Sequence, residues 1–167
     1  MDDPVLARRS IREYTNAPVS DEHLERLLRA AMAAPSAGNQ QPWRFVVVTQ
    51  RETLVGITRV HPYARMLAEA PVAIVVCGDP AAGKWPDFWE QDCAAAVENV
   101  LIEAQILGLG AVWLGVHPLA ERVEGIRALL GMPAEVVPFA IVAVGHPAKT
   151  KPQAERFDPE RVHRERW

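Results

Sequence analysis

The stretch "DCAAAVENVLIEAQILGLG", Asp92 to Gly110, decides the fold: beyond its leading acid, only Glu98, Asn99, Glu103 and Gln105 interrupt a run that is otherwise apolar or glycine. Wound as a helix, it presents little face to water, and a helix apolar nearly all round has to be surrounded by other elements. A chain of 167 residues has trouble supplying enough surface of its own to do so. Two arrangements stay open. Either this is the central core helix of the domain, or a second copy of the chain completes its burial across a homodimer interface.

Four apolar runs flank the helix in sequence: Phe45 to Val48, "PVAIVVCGD" (Pro71 to Asp79), "GAVWLGV" (Gly110 to Val116) and "FAIVAVG" (Phe139 to Gly145). Each is short, rich in β-branched residues and bounded by Pro or Gly, which reads as a buried strand. Continuous apolar strands with helical segments between them imply a sheet covered on both faces, hence a layered α/β or α+β domain. Upstream, Ser20 can cap a helix that carries Asp21 and Glu22 in its first turn and Leu24, Leu27, Leu28 and Ala31 at helical spacing. Pro35 prevents that helix from continuing. The 49% hydrophobic content suits one domain over residues 1–167.

The net charge of −3 creates no global positive field for nucleic acid or an anionic membrane, so any anion site must be local. Cys77 and Cys93 lie in apolar runs without metal-ligand or disulfide spacing, and read as core thiols of a reducing compartment. Met1, Asp2 and Asp3 do not open a secretory signal. A soluble cytoplasmic protein with no metal, no nucleic-acid partner and no membrane association is expected.

Two glycine motifs fail on context. "GDPAAGK" (Gly78 to Lys84) matches a phosphate-binding loop, but Trp85 stands where a hydroxyl should follow and Pro86 disfavours the helix. "GLGAVW" (Gly108 to Trp113) precedes a strand and reads as a helix C-cap. The histidines are scattered: His61, His117 and His146 each precede a proline, and His23 and His163 lie in charged segments. With no hydrolase or metal motif present, a bound cofactor is the expected source of any chemistry. The N-terminal "ARRSIREYTNAPVS" places Arg8, Arg9 and Arg12 around Ser10, a set suited to grasping a phosphate and an adjoining polyol, though a basic cluster near an N-terminus is more often a solvated helix face.

Taken together, "RRSIREY" (8–14), "APSAGNQQPWRFVVV" (34–48), "QDCAAAVENVLIEAQILGLGAVWLG" (91–115) and "VGHPAK" (144–149) closely resemble the nitroreductase family of FMN-dependent oxidoreductases, in its short form. The resemblance implies an α+β, three-layer α/β/α fold with a central, mostly antiparallel sheet, and an intertwined homodimer with FMN at the subunit interface. By motif, Arg8, Arg9, Ser10 and Arg12 correspond to phosphate and ribityl contacts at the start of the first helix. Pro35, Ser36 and Asn39 correspond to a turn reaching the FMN of the partner subunit. Trp113, Leu114 and Gly115 correspond to a strand passing beside the flavin ring, with a main-chain N–H near N5. Arg156 is the best match for a late basic contact to the phosphate, with Lys149 and Lys151 as competitors. Trp85, Phe88 and Trp89, in "KWPDFWEQ" (84–91), occupy the place of a lid that stacks on a planar substrate; core or interface packing is the alternative. The implied reaction passes hydride from NAD(P)H through FMN to a nitroaromatic or quinone. A dehalogenase, a heterocycle dehydrogenase and a low-turnover flavin-binding redox sensor are the rivals.

Overall fold

The computed structural model describes residues 3–167; Met1 and Asp2, part of the N-terminal reading above, lie outside them. Four strands, β1 (Trp43–Val48), β2 (Val72–Gly78), β3 (Gly110–Gly115) and β4 (Val137–Gly145), form one sheet in the order β1-β2-β4-β3. Every neighbouring pair is antiparallel. All four strand runs read from the sequence are present.

The uninterrupted apolar character of β2 and β4 follows from two cores, one on each face. Val72, Ile74, Val76, Ala140, Val142 and Val144 face helices α2 (Asp21–Met32) and α4 (Trp89–Ile106). Ala73, Val75, Cys77, Ile141 and Ala143 face α3 (Arg51–Val60) and α5 (Ala120–Leu130). Successive strand side chains point to opposite faces, so covering both faces makes every position apolar. Cys77 and Cys93 are both buried free thiols in these cores, and burial pushes each thiol up to about 12.

Ser20 caps α2 by accepting the His23 N–H at 3.2 Å. The helix ends at Met32, three residues before Pro35. Helix α4 packs on α2 and on the sheet through Cys93, Ala96, Val97, Val100, Leu101 and Ala104. It ends where Gly108 takes a left-handed conformation, φ 70°. Ala94, Ala95 and Ile102 remain half-buried and Ile106 is exposed, so one chain does not complete this helix's burial. Among the described residues, no helix is long and apolar enough to cross a membrane.

The first helix, α1, is only the turn Pro4–Ala7, with Asp3 as N-cap and Arg8 as C-cap. The RRSIR segment therefore follows the first helix, where the sequence reading placed it at the helix start. The cause is long-range pairing: Ser10 bridges Ala111 in parallel along the outer edge of β3, holding the segment extended.

Candidate functional site

Past α1 the chain is pinned to β3 by Ile11, whose N–H donates to the Ala111 carbonyl at 3.0 Å. Tyr14 is buried behind it and its hydroxyl donates to the Ile11 carbonyl at 2.8 Å. Burial holds that phenol above its ordinary pKa, with Arg12 opposing, so it stays a neutral donor. This anchoring leaves the arginines free to reach outward. Arg8 pairs with Glu98 of α4 at 3.3 Å. Arg9 donates from Nε to the Pro152 carbonyl at 2.9 Å, yet its Nη2 is buried with no partner among the described residues. A buried guanidinium N–H without an acceptor is costly, and its natural complement is an anion.

Arg8, Arg9 and Arg156 line one cleft of about 420 Å³. Arg9, Lys149 and Lys151 line a smaller one of about 240 Å³. Lys149 is neutralised by Glu13 at 2.6 Å, whereas Lys151 donates to the Ser10 carbonyl at 2.8 Å. Lys151 also joins Arg12 and Arg65 around a third cleft, which Glu13 and Glu69 line as well. Through these shared residues a basic track runs from Arg156 along the N-terminal segment to Arg12.

At its end lies a cavity of about 440 Å³, lined by Arg12, Arg65, Arg122, His61, Tyr63 and the Trp113–Gly115 stretch, with no carboxylate among its lining residues. Three guanidinium groups and an uncovered strand edge make it electropositive. Backbone groups alternate along a strand. Ala111 directs its carbonyl outward to Ile11, and Gly115 directs its own to His61 and Arg122. Trp113 and Gly115 thus turn their N–H groups to the same open edge. Sequence reasoning identified Arg12 and Trp113–Gly115, and missed His61, Arg65 and Arg122, which carry no motif.

The Pro35, Ser36 and Asn39 turn lies elsewhere, against the start of α4. The Asp92 carboxylate, 5% exposed, accepts the Ala37 N–H at 2.9 Å and the Gln40 side-chain N–H at 2.8 Å. Ser36 Oγ accepts the Gln41 N–H at 3.0 Å. Gly38, Asn39 and Gln41 all take positive φ, 54°, 55° and 50°. Gln40 and Trp85 exchange two hydrogen bonds, 2.9 and 3.0 Å, so the aromatic segment is fastened to the turn. Trp85 and Phe88 are exposed, whereas Trp89 is buried against His117 and Phe139. Trp89 therefore packs in the core, the alternative allowed for it in sequence. None of these residues lines the β3 cavity of the same chain.

The profile of the nitroreductase family matches residues 5–65 and 55–146. A provisionally named NADH dehydrogenase/NAD(P)H nitroreductase of Archaeoglobus fulgidus is 50% identical, covering 98% of this chain and 96% of that protein. An FMN-dependent nitroreductase of Clostridium difficile superimposes with a TM-score of 0.91 at 29% identity, covering 98% and 99% of the two chains. A provisionally named nitroreductase of Desulfovibrio desulfuricans, solved in complex with FMN, gives 0.83 at 34% identity over 100% and 99%. Fold, matched residues and relatives agree that the chain belongs to the nitroreductase family.

Proposed function

We propose that this protein is an FMN-dependent oxidoreductase that takes hydride from NAD(P)H and delivers it to an electrophilic acceptor such as a nitroaromatic or a quinone. The observation that carries this reading is the buried Nη2 of Arg9, which has no partner among the described residues and is set on a basic track that leads to the bare edge of β3. An anionic tail and a flat, hydrogen-bonding ring fit those two ends. Arg8, Arg9 and Arg156 would hold the phosphate through charge-assisted bonds, and Ser10 the polyol chain. Arg12 would place positive charge beside the ring, and the edge of Trp113, Leu114 and Gly115 would offer main-chain N–H groups to it. When bound, FMN supplies the hydride chemistry, which none of the side chains present could supply.

The functional unit in this reading is an intertwined homodimer. Residues 151–167 lie almost wholly exposed, with Phe157 at 76% and Trp167 at 100%. The segment is mostly charged, but its exposed Phe157, Val162 and Trp167, with Ile106 on α4, are apolar side chains that a second copy would cover. The partner subunit's Pro35, Ser36 and Asn39 would then complete the cofactor wall, with Trp85 and Phe88 as a lid over the acceptor.

The absorption spectrum of the purified protein tests the reading. Yellow flavin bands that bleach with NADH or NADPH and recover on adding menadione or nitrofurazone are expected. A colourless protein that takes up no FMN refutes it, and bound flavin that NAD(P)H does not reduce replaces the reductase with a flavin sensor.

A further inference from the structure

The carbonyl of Gly115 is held by two donors from outside its own strand. His61 Nε2 lies 2.8 Å from it and Arg122 Nη1 2.9 Å. The His61 tautomer follows from its other nitrogen. Nδ1 accepts the Tyr63 N–H at 3.2 Å, so the proton resides on Nε2 and is donated to Gly115. His61 is 1% exposed, and burial keeps its pKa below the ordinary histidine value, so the donor is a neutral imidazole. Arg122 in turn lies over the Tyr63 ring, 5.4 Å from its centroid. The backbone of Tyr63 fixes His61, its ring supports Arg122, and both converge on one oxygen.

Gly115 itself shows why such a clamp is useful. A Cβ built on it would meet nothing within 4 Å, and its φ is not positive. Neither crowding within the chain nor backbone conformation calls for glycine there. The missing side chain leaves the edge bare for a ligand, at the cost of a backbone with more freedom than any other residue would give. The N–H and C=O of Gly115 belong to successive peptide planes joined at one Cα, so a carbonyl held from outside the strand narrows the rotation through which the amide plane could swing.

We propose that His61 and Arg122 are positioning residues that lock the Gly115 carbonyl and so aim the Gly115 amide N–H at the bound cofactor. The assignment rests on the FMN reading above. It gives the α3–β2 connection and helix α5, neither of which belongs to a recognised motif, a direct part in orienting the flavin.

The test compares His61→Leu, His61→Gln and Arg122→Met with the wild-type protein. In the flavin-free protein, His61→Leu and Arg122→Met are expected to shift the carbonyl and amide resonances of Gly115. In the FMN-loaded protein they slow flavin reduction by saturating NADH or NADPH, whichever reduces the wild type, about tenfold, the effect of one hydrogen bond lost from the transition state. FMN affinity changes less than about threefold. His61→Gln, which keeps a donor near the Nε2 position, recovers most of both signals, which a packing role for His61 would not produce. Wild-type Gly115 resonances and reduction rates in both donor-removing variants overturn the clamp. Should His61→Leu fail to fold, Arg122→Met at the protein surface decides alone. A wild-type protein that binds no FMN fails the underlying reading, while altered variants are then impossible to attribute to flavin orientation and the assignment falls with it.

Discussion

Replacing Asp92 by Asn is a change of one atom that sets donor against donor at the turn carrying Pro35, Ser36 and Asn39. The Gln40 amide has no spare capacity: one Nε2 hydrogen goes to the Trp85 carbonyl at 2.9 Å, the other to Asp92 Oδ2 at 2.8 Å, and Oε1 accepts the Trp85 N–H at 3.0 Å. Asn at position 92 still accepts the Ala37 N–H but turns an NH₂ group toward Gln40. Either the 2.8 Å bond is lost or the Gln40 amide flips and forfeits both bonds to Trp85. A hydrogen bond to a charged acceptor contributes about 1.5–3 kcal/mol. The half-buried Gln40 can turn to water, so a net loss of about 1.5–2.5 kcal/mol is expected for Asp92→Asn. Asp92→Ala removes both bonds, and relief of the buried charge offsets part of the loss, giving about 2–4 kcal/mol. Urea unfolding at fixed protein concentration, with an unchanged m-value, measures both. A double-mutant cycle with Gln40→Ala isolates the pair and should return a coupling of about 1 kcal/mol. Because Asn39 and Gln41 hold positive φ at a cost of order 1–2 kcal/mol each, loosening the anchor should also speed proteolysis within residues 34–41. Asp92→Asn within 0.5 kcal/mol of wild type, with zero coupling, refutes the anchoring argument.

Arg9→Ala should raise the Kd for FMN by about 10- to 150-fold, the equivalent of one charge-assisted bond; titration with unchanged affinity removes Arg9 from the phosphate site. The depressed pKa of His61 makes stability depend on pH. Above about 6.5 both states are neutral and its contribution is complete; as pH falls toward the lower folded value, the unfolded chain alone gains a proton and stability drops, by at most about 1.4 kcal/mol per unit. His61→Gln should lose that slope in unfolding free energy between pH 6.5 and 5, and an identical slope contradicts it. Phe157→Asp removes an apolar contact twice in a two-fold dimer, about 3–6 kcal/mol in all, and should shift sedimentation toward the monomer; an unchanged association constant shows that the tail covers nothing.

What the sequence made legible follows from what each element depends on. The strands were readable because Val72–Gly78 and Phe139–Gly145 are apolar at every position. The same property hid their direction and order. With α2 and α4 on one face and α3 and α5 on the other, the two-residue alternation that would reveal a face is erased. Only the resemblance supplied the antiparallel sheet. Ser20 was legible because capping is local. The extended RRSIR segment was not, because it depends on pairing with Ala111, about a hundred residues away.

The candidate site divides along the same line. Arg8, Arg9, Arg12 and Gly115 stand in motifs, whereas His61 meets Gly115 across 54 positions, Arg65 reaches the cavity only through the fold, and Arg122, although near Gly115 in the chain, stands in no motif. Asp92 had one sequence signal, an acid beside Glu90 in the first turn of an apolar helix, and its meaning emerges only once the turn from Ala37 to Gln40 lies over it. That turn lies against the start of α4, whereas the basic track passes the later part of the same helix at Glu98 and Gln105 and leads to the outer edge of β3. A residue set split between two regions of one chain works as one site only if a second chain brings its turn to the first chain's edge. In the proposed dimer, the half-buried outer face of α4 and the exposed Phe157, Val162 and Trp167 of the tail are where that second chain would rest, so burying α4 and closing the proposed cofactor site would have the same solution.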